Sequence, residues 1–337
     1  MNRLLVAVLF LSMLAPARAD YLVREIGSFH LGGHSLTLSG LPTREIIFTP
    51  GAPPIKSDPN GEFVVGQMYV QYVKLSHPKA KVPMLLWHGG GLTGASWETK
   101  PDGHPGWQQF FLAAGYDTYV SDAVERGRAS WARYTEIYKG EPFFRAKKEG
   151  WELFRIGPFY QEGGTREPFS GTQFPVESYD QLASQFVPRW STNDATTQAA
   201  YDALVQKVCP CVIVVHSQGG NFGFTAALHA PDKVKALVAI EPSGAPDPAQ
   251  VNLSDLRKVP HLVIWGDNID KVAAWSKIMQ APNRYLDALK QADVPVEVMD
   301  LPRMGITGNT HMMMMDRNSD VIAARIQAWL VRQGIMN

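Results

Sequence analysis

The chain has 337 residues, with 32 basic and 32 acidic side chains and a formal net charge of zero. This balance argues against a nucleic-acid-binding protein, which usually carries an excess or a stripe of basic residues. The hydrophobic fraction of 45% and the charged fraction of 19% are typical of a globular chain and exclude a disordered one. Two cysteines are too few for a disulfide-stapled scaffold or a four-thiolate zinc site.

Residues 1–19 have the three parts of a secretory signal peptide. Arg3 supplies the positive charge, an apolar run extends from Leu4 to Leu14, and an Ala-Arg-Ala sequence at 17–19 forms the cleavage site. The run is too short to cross a bilayer, which needs roughly 20 apolar residues. We therefore expect a secreted or periplasmic protein with no membrane span, whose mature part is residues 20–337.

Two patterns of apolar residues follow the signal segment. In residues 21–81 short strand-like runs alternate with turn signals, which predicts antiparallel strands at the edge of a larger sheet. From residue 84 onward, strands alternate with helix-length segments, which predicts a mostly parallel sheet with helices on both faces. The expected fold class is therefore a single α/β domain. The predicted strands are 84–87, 118–120, 212–215, 236–240, 261–265 and 296–299, and the predicted helices are 107–114, 219–230, 273–291 and 321–332.

The segment of about 123–196 interrupts this alternation and is rich in aromatic residues. So many aromatic side chains would not stay soluble in a free linker. We expect the segment to form a cap or lid over the C-terminal edge of the sheet, the edge at which ligands bind in such folds. Its aromatic character suggests a ligand with an apolar acyl or aryl group, whereas an ordinary satellite core is the alternative.

Two further sequence features could indicate a disulfide bridge and a copper site, and we favour neither. Cys209 and Cys211 are separated by one residue, and a bridge across so short a span would be strained, so we expect small buried thiols. The four methionines at 312–315 offer soft thioether ligands for copper. On a helix their side chains would point in all directions, so we expect them to pack near the site, with one or two at the pocket wall.

The sequence Val-His-Ser-Gln-Gly-Gly at 215–220 joins an apolar strand to a predicted helix. This is the context of a nucleophile elbow, in which a sharp turn exposes a serine hydroxyl at the top of the sheet. The usual G-x-S-x-G pattern is incomplete, because Val215 stands where the first glycine is expected. We predict that Ser217 is the nucleophile of an acyl-transfer reaction.

A glycine run, Gly89-Gly90-Gly91, directly follows the strand at 84–87. Acyl transfer needs backbone N–H groups that point at the oxyanion without side chains in the way. We expect one donor to be the N–H of Gly90, or of Gly91, and the other to be the N–H of Gln218. A phosphate loop is the alternative, but the G-x-x-x-x-G-K-[ST] pattern is absent.

A serine hydroxyl needs a general base, and a histidine that titrates near neutrality can supply it. Of nine histidines, His311 alone comes late in the chain, on the loop after the last predicted strand. The acid that orients the imidazole has two candidate positions. Glu241 ends the strand at 236–240, whereas the runners-up Asp267 and Asp270 follow the next strand. The residues alone leave this choice open.

The segments His88–Trp107, Val215–Gly220, Ala239–Gly244 and Gly308–Asp316 together resemble the α/β-hydrolase superfamily. More narrowly, they resemble a small group of secreted bacterial esterases with a Ser-Glu-His triad. The resemblance covers nearly the whole mature chain. It implies an α/β-hydrolase fold, in which the acid is Glu241 rather than an aspartate after the next strand. Relatives can carry adjacent cysteines in the oxyanion turn, where this chain has glycines.

The expected function is hydrolysis of small carboxylic esters through Ser217, His311 and Glu241, without a metal or organic cofactor. The same groups would serve a thioesterase, a lactonase or a peptidase, and the motifs do not separate these activities. A non-catalytic periplasmic binding protein on the same scaffold is a second alternative. The resemblance also favours a homodimer.

Overall fold

The computed structural model describes residues 20–132 and 134–337. The predicted signal peptide at 1–19 and its cleavage site lie outside the described residues. Within these ranges no helix is both long enough and apolar enough to cross a bilayer.

The centre of the fold is an eight-stranded sheet with the order β1-β4-β6-β5-β9-β10-β11-β12. The pairs β1–β4 and β4–β6 are antiparallel, and the strands from β6 to β12 in this order pair in parallel. The predicted antiparallel edge on a mostly parallel sheet is therefore confirmed. The strands, including two small hairpin pairs outside this sheet, are β1 (Val23–Leu38), β2 (Arg44–Ile46), β3 (Ile55–Ser57), β4 (Gly61–Leu75), β5 (Met84–Trp87), β6 (Thr118–Asp122), β7 (Phe159–Tyr160), β8 (Arg166–Glu167), β9 (Cys211–His216), β10 (Val234–Ile240), β11 (His261–Trp265) and β12 (Val296–Asp300).

The inner strands β5, β9, β10 and β11 are predominantly apolar because helices cover both faces of the sheet. Successive side chains of a strand point to opposite faces, so Met84 and Leu86 join one hydrophobic cluster while Leu85 and Trp87 join the other. Helices α2 and α9 pack on the first face, and α5, α6 and α8 pack on the second. The helices are α1 (Ala95–Glu98), α2 (Trp107–Ala114), α3 (Lys147–Leu153), α4 (Tyr179–Ala183), α5 (Asp194–Val208), α6 (Gly219–His229), α7 (Ala273–Ile278), α8 (Gln280–Gln291) and α9 (Ser319–Arg332).

Two local predictions are wrong. The helix expected at 273–291 is divided into α7 and α8 at Met279, and Pro282 lies in the first turn of α8, where its missing N–H costs nothing. Cys209 and Cys211 form a disulfide rather than two free thiols. Their Cα atoms are 4.4 Å apart, which is within the range that a disulfide can span.

The segment between β6 and α5, which corresponds to the predicted cap, contains α3, α4 and the β7–β8 pair. Trp151, Tyr160 and Tyr179 from this segment are buried in the first hydrophobic cluster. The segment is also tied to the loop that follows β12, because the N–H of Gln173 donates to the carbonyl of Gly308 (2.7 Å). Much of its aromatic content therefore stabilises the fold, and the rest of the segment reaches the site described next.

Candidate active site

The residues predicted to carry the chemistry lie at the C-terminal edge of the parallel strands. The glycine turn follows β5, Ser217 follows β9, Glu241 follows β10, and His311 lies on the loop between β12 and α9. Because parallel strands end at the same edge of a sheet, these four turns converge. Gly90, Ser217, Gln218 and His311 line one cavity of about 350 Å³.

Ser217 occupies a sharp turn between β9 and α6. Its φ of 52° lies in the left-handed region, which a non-glycine residue adopts at a cost that the surrounding structure must offset. Hydrogen bonds to the next strand end hold the turn: the Ser217 N–H donates to the carbonyl of Ile240 (3.0 Å), and the Ser243 N–H donates to the carbonyl of Ser217 (3.0 Å). The hydroxyl-bearing residue is thus presented to the cavity by a strained but firmly held backbone.

The glycine turn passes directly over this serine. A Cβ on Gly89 would lie 2.9 Å from the Cβ of Ser217 and 2.7 Å from Nδ1 of His216, so a side chain at position 89 is excluded. Among the described residues, no group accepts a hydrogen bond from the N–H of Gly90 or of Gln218. Both donors are therefore free for an oxyanion. Gly91 has a φ of 70°, which favours glycine there too.

His311 and Glu241 are in direct contact. Nδ1 of the imidazole donates to Oε2 of the carboxylate across 2.7 Å, and both side chains are almost fully buried. This bond leaves Nε2 as the unprotonated nitrogen of the neutral ring. Burial lowers the pKa of His311, although the Glu241 carboxylate opposes the shift, so the ring is neutral at neutral pH.

In the described part of the chain, the Ser217 hydroxyl and the His311 imidazole do not form a hydrogen bond. The two residues nevertheless line the same cavity. Hydrogen bonds of this kind are commonly long in the absence of substrate and shorten when substrate binds.

The other carboxylate oxygen of Glu241 is held by two donors. Nη2 of Arg155 forms a fully buried ion pair with Oε1, and the Gly266 N–H donates to the same oxygen across 2.7 Å. Burial alone would raise the pKa of this carboxyl, but the charge of Arg155 and the hydrogen bond from His311 outweigh it. The pKa of Glu241 therefore lies below its usual value, and the group is a carboxylate at neutral pH.

The runner-up carboxylates are not in contact with His311. Asp267 accepts hydrogen bonds from the N–H groups of Asn268 (2.7 Å) and Gly308 (2.8 Å), so it stabilises the turns on either side of it. Asp270 is exposed. Sequence patterns left the choice among three carboxylates open. Of these three, only Glu241 contacts the imidazole.

The loop that carries His311 is fixed from beneath by Asp316. This buried carboxyl accepts from the N–H and the hydroxyl of Thr310 and from the amide of Asn309, each at 2.8 to 2.9 Å. Burial raises the pKa of Asp316 to about 7.

The four methionines at 312–315 are buried in the hydrophobic core. The expectation that one or two of them lie at the pocket wall is wrong, because none of them lines the described cavity.

Sequence patterns did not predict three arginines that lie at or beside the site. Arg155 and the two cavity-lining arginines, Arg145 and Arg189, all come from the aromatic-rich segment, far in sequence from the residues they approach. Of the aromatic residues in that segment, Phe154 lines the cavity within the described chain, and its ring lies 5.4 Å from that of His311. The signal that could have identified Arg155 is a charged residue within the otherwise apolar stretch Leu153–Ile156.

Comparisons with known proteins find similar sequences and a similar fold. The family described as the alpha/beta hydrolase fold matches residues 174–295. A structure described as that of a novel bacterial esterase is 33% identical in sequence, covers 93% of this chain and 97% of its own, and superposes with a TM-score of 0.79. A probable secreted lipase, phiG, from Fungal sp. (strain ATCC 74256) is 26% identical in an alignment that covers 81% of this chain and 88% of the relative.

Proposed function

This chain belongs to the α/β-hydrolase superfamily, and from that premise we propose that it is an exported serine esterase. It hydrolyses carboxylic esters through Ser217, His311 and Glu241. The observation that carries the proposal is the buried hydrogen bond between His311 and Glu241 in the wall of the cavity that also contains Ser217. A carboxylate so placed fixes the tautomer that leaves Nε2 free to accept a proton.

In the first half of the reaction, Nε2 of His311 takes the proton of the Ser217 hydroxyl while the oxygen attacks the ester carbonyl carbon. The carbonyl oxygen becomes an oxyanion that accepts hydrogen bonds from the N–H groups of Gly90 and Gln218. Each such donor typically contributes about 2.7–4 kcal/mol to the transition state. The N-terminus of α6, which begins at Gly219, adds a favourable dipole.

The tetrahedral intermediate then collapses. The bond to the alcohol oxygen breaks, and His311 donates its proton to the leaving alcohol, which gives a Ser217 acyl-enzyme. In the second half a water molecule takes the place of the alcohol: His311 removes its proton, the hydroxide attacks the acyl carbon, and Ser217 leaves with the proton restored. Glu241 stabilises the imidazolium in both halves.

Two finer parts of this proposal rest on other observations. Export is supported by the signal-like residues 1–19 and by the similarity to a probable secreted lipase. Ester rather than thioester, lactone or peptide hydrolysis is supported by the similarity to a bacterial esterase. A panel of these four substrate classes distinguishes them, since the same triad can act on all.

The test of the proposed function is the Ser217→Ala variant assayed on a short aryl ester. Because the three residues act as a unit, turnover is expected to fall on the order of 10⁶-fold. Ser276→Ala, which changes an exposed serine on α7, is the matched control and should keep full activity. Near-normal hydrolysis by the Ser217 variant would contradict the assignment. Absence of hydrolysis by the wild-type protein would instead favour a non-catalytic binding protein.

A further inference from the structure

Arg189 lies in the wall of the cavity beside the oxyanion turn. A Cβ on Gly90 would lie 3.0 Å from Nη1 of Arg189, so the guanidinium is next to the backbone that would hold the oxyanion. The chain segment is held there by an isolated bridge, in which Arg189 and Phe143 exchange two backbone hydrogen bonds of 2.8 and 2.9 Å. The Arg189 guanidinium is therefore close to the position that a scissile ester would take.

This guanidinium has no partner in the described part of the chain. None of its nitrogens donates a hydrogen bond there, no carboxylate lies within ion-pair distance, and Nε is shielded from solvent without an acceptor. Asp194 is the acidic residue in the cavity lining, but it is exposed and accepts from Nε2 of Gln218 (3.1 Å). Arg189 is only partly buried, but its Nε–H is shielded without an acceptor and no carboxylate compensates its charge. A guanidinium in this state is available to bind an anionic ligand.

A second arginine adds to the positive character of the same wall. Arg145 lines the cavity, pairs with Glu149, and lies over the ring of Phe154 at 5.1 Å from the ring centre. Arg145 and Arg189 line the same cavity. Burial lowers the pKa of Arg145, Glu149 opposes that shift, and the positive charge of Arg189 adds to it. Arg145 is compensated by its own partner, whereas Arg189 is not.

We propose that the cavity selects esters that carry a carboxylate near the scissile ester bond, and that Arg189 binds this carboxylate. A guanidinium presents two parallel N–H groups that match the two oxygens of a carboxylate. The natural substrate class would then be monoesters of short dicarboxylic acids and similar anionic esters, rather than purely apolar ones. This inference rests on the proposed function, because it identifies the substrate of the same site.

The kinetic test compares monomethyl glutarate, which is anionic, with dimethyl glutarate, which is nearly the same size and neutral. We expect the wild-type protein to favour the anionic ester in kcat/KM by about 10- to 100-fold, the range that one charged hydrogen-bonding group supplies. Arg189→Gln should abolish this preference and Arg189→Lys should restore part of it. Arg303→Gln, which removes an exposed arginine that pairs with Asp300, is the control and should leave the ratio unchanged.

A binding measurement separates this inference from the proposed function. In the Ser217→Ala background, calorimetry with both esters should show tighter binding of the anionic one, and the added Arg189→Gln substitution should remove that difference. Equal binding of the two esters, or a preference that survives Arg189→Gln, would overturn the inference. Hydrolysis that survives Ser217→Ala would instead overturn the proposed function and leave the binding result valid.

Discussion

The substitution Glu241→Gln tests the orientation of His311 by changing one atom of a buried contact. In the native site Oε1 of Glu241 accepts from Arg155 and from the Gly266 N–H, while Oε2 accepts from Nδ1 of His311. A glutamine has one acceptor oxygen, and the two donors on the Oε1 side will hold it. Its NH₂ group then faces Nδ1, which must become the unprotonated nitrogen.

The consequence is the wrong tautomer at the reacting nitrogen. Nε2 of His311 would carry a proton and could not accept the one on Ser217. Loss of turnover by about 10⁴-fold is the magnitude expected when an active-site histidine is held in this tautomer. The neutral amide also leaves the buried Arg155 without its counter-ion, a change that costs roughly 3–5 kcal/mol of stability when a buried pair is broken.

The assay is steady-state hydrolysis of an aryl ester, with thermal unfolding measured on the same samples so that loss of folded protein is corrected for. Asp267→Asn is the matched control, because within the described chain Asp267 accepts from the backbone N–H groups of Asn268 and Gly308 and does not contact the imidazole. Its turnover should fall less than that of Glu241→Gln by orders of magnitude. The reverse ranking of the two variants would refute the reasoning and return the role to the strand after β10.

Three further outcomes follow from the same contacts. Arg155→Met should destabilise the fold by about 3–5 kcal/mol in denaturant unfolding, because it leaves the Glu241 carboxylate buried and unpaired; unchanged stability would contradict the buried ion pair. Because the base must be neutral and burial lowers the pKa of His311, kcat/KM should fall with decreasing pH only below the usual histidine value of about 6.5. An acidic limb above that value would mean that Glu241 dominates the shift. Reduction of the Cys209–Cys211 bridge, at the opposite end of β9 from the nucleophile, should leave kcat/KM within about twofold; a large loss would show that the bridge orders the site.

The fold and part of the site were predictable from sequence because their signals are local. The strand at Met84–Trp87 and the helix at Trp107–Ala114 have the predicted bounds, since continuous apolar runs and helical spacing are read within one segment. Ser217 was recognisable from a strand, a turn and a helix that adjoin in sequence. Patterns of this kind need no knowledge of how distant segments meet.

The remaining features depend on contacts between distant segments. Arg155 lies 86 residues before the carboxylate it pairs with, and no spacing rule connects the two. The choice of Glu241 over Asp267 likewise depends on which strand end the imidazole reaches, which the residues alone left open. The free guanidinium of Arg189 is visible only once the glycine turn and the aromatic-rich segment are seen side by side.

The central claim is that Ser217 is a nucleophile activated within this cavity, and covalent labelling with a fluorophosphonate tests it most directly. The account predicts one adduct per chain, mapped by peptide mass spectrometry to Ser217, with labelling slowed strongly in Glu241→Gln. An adduct on another residue, or labelling that persists in Ser217→Ala, would contradict it.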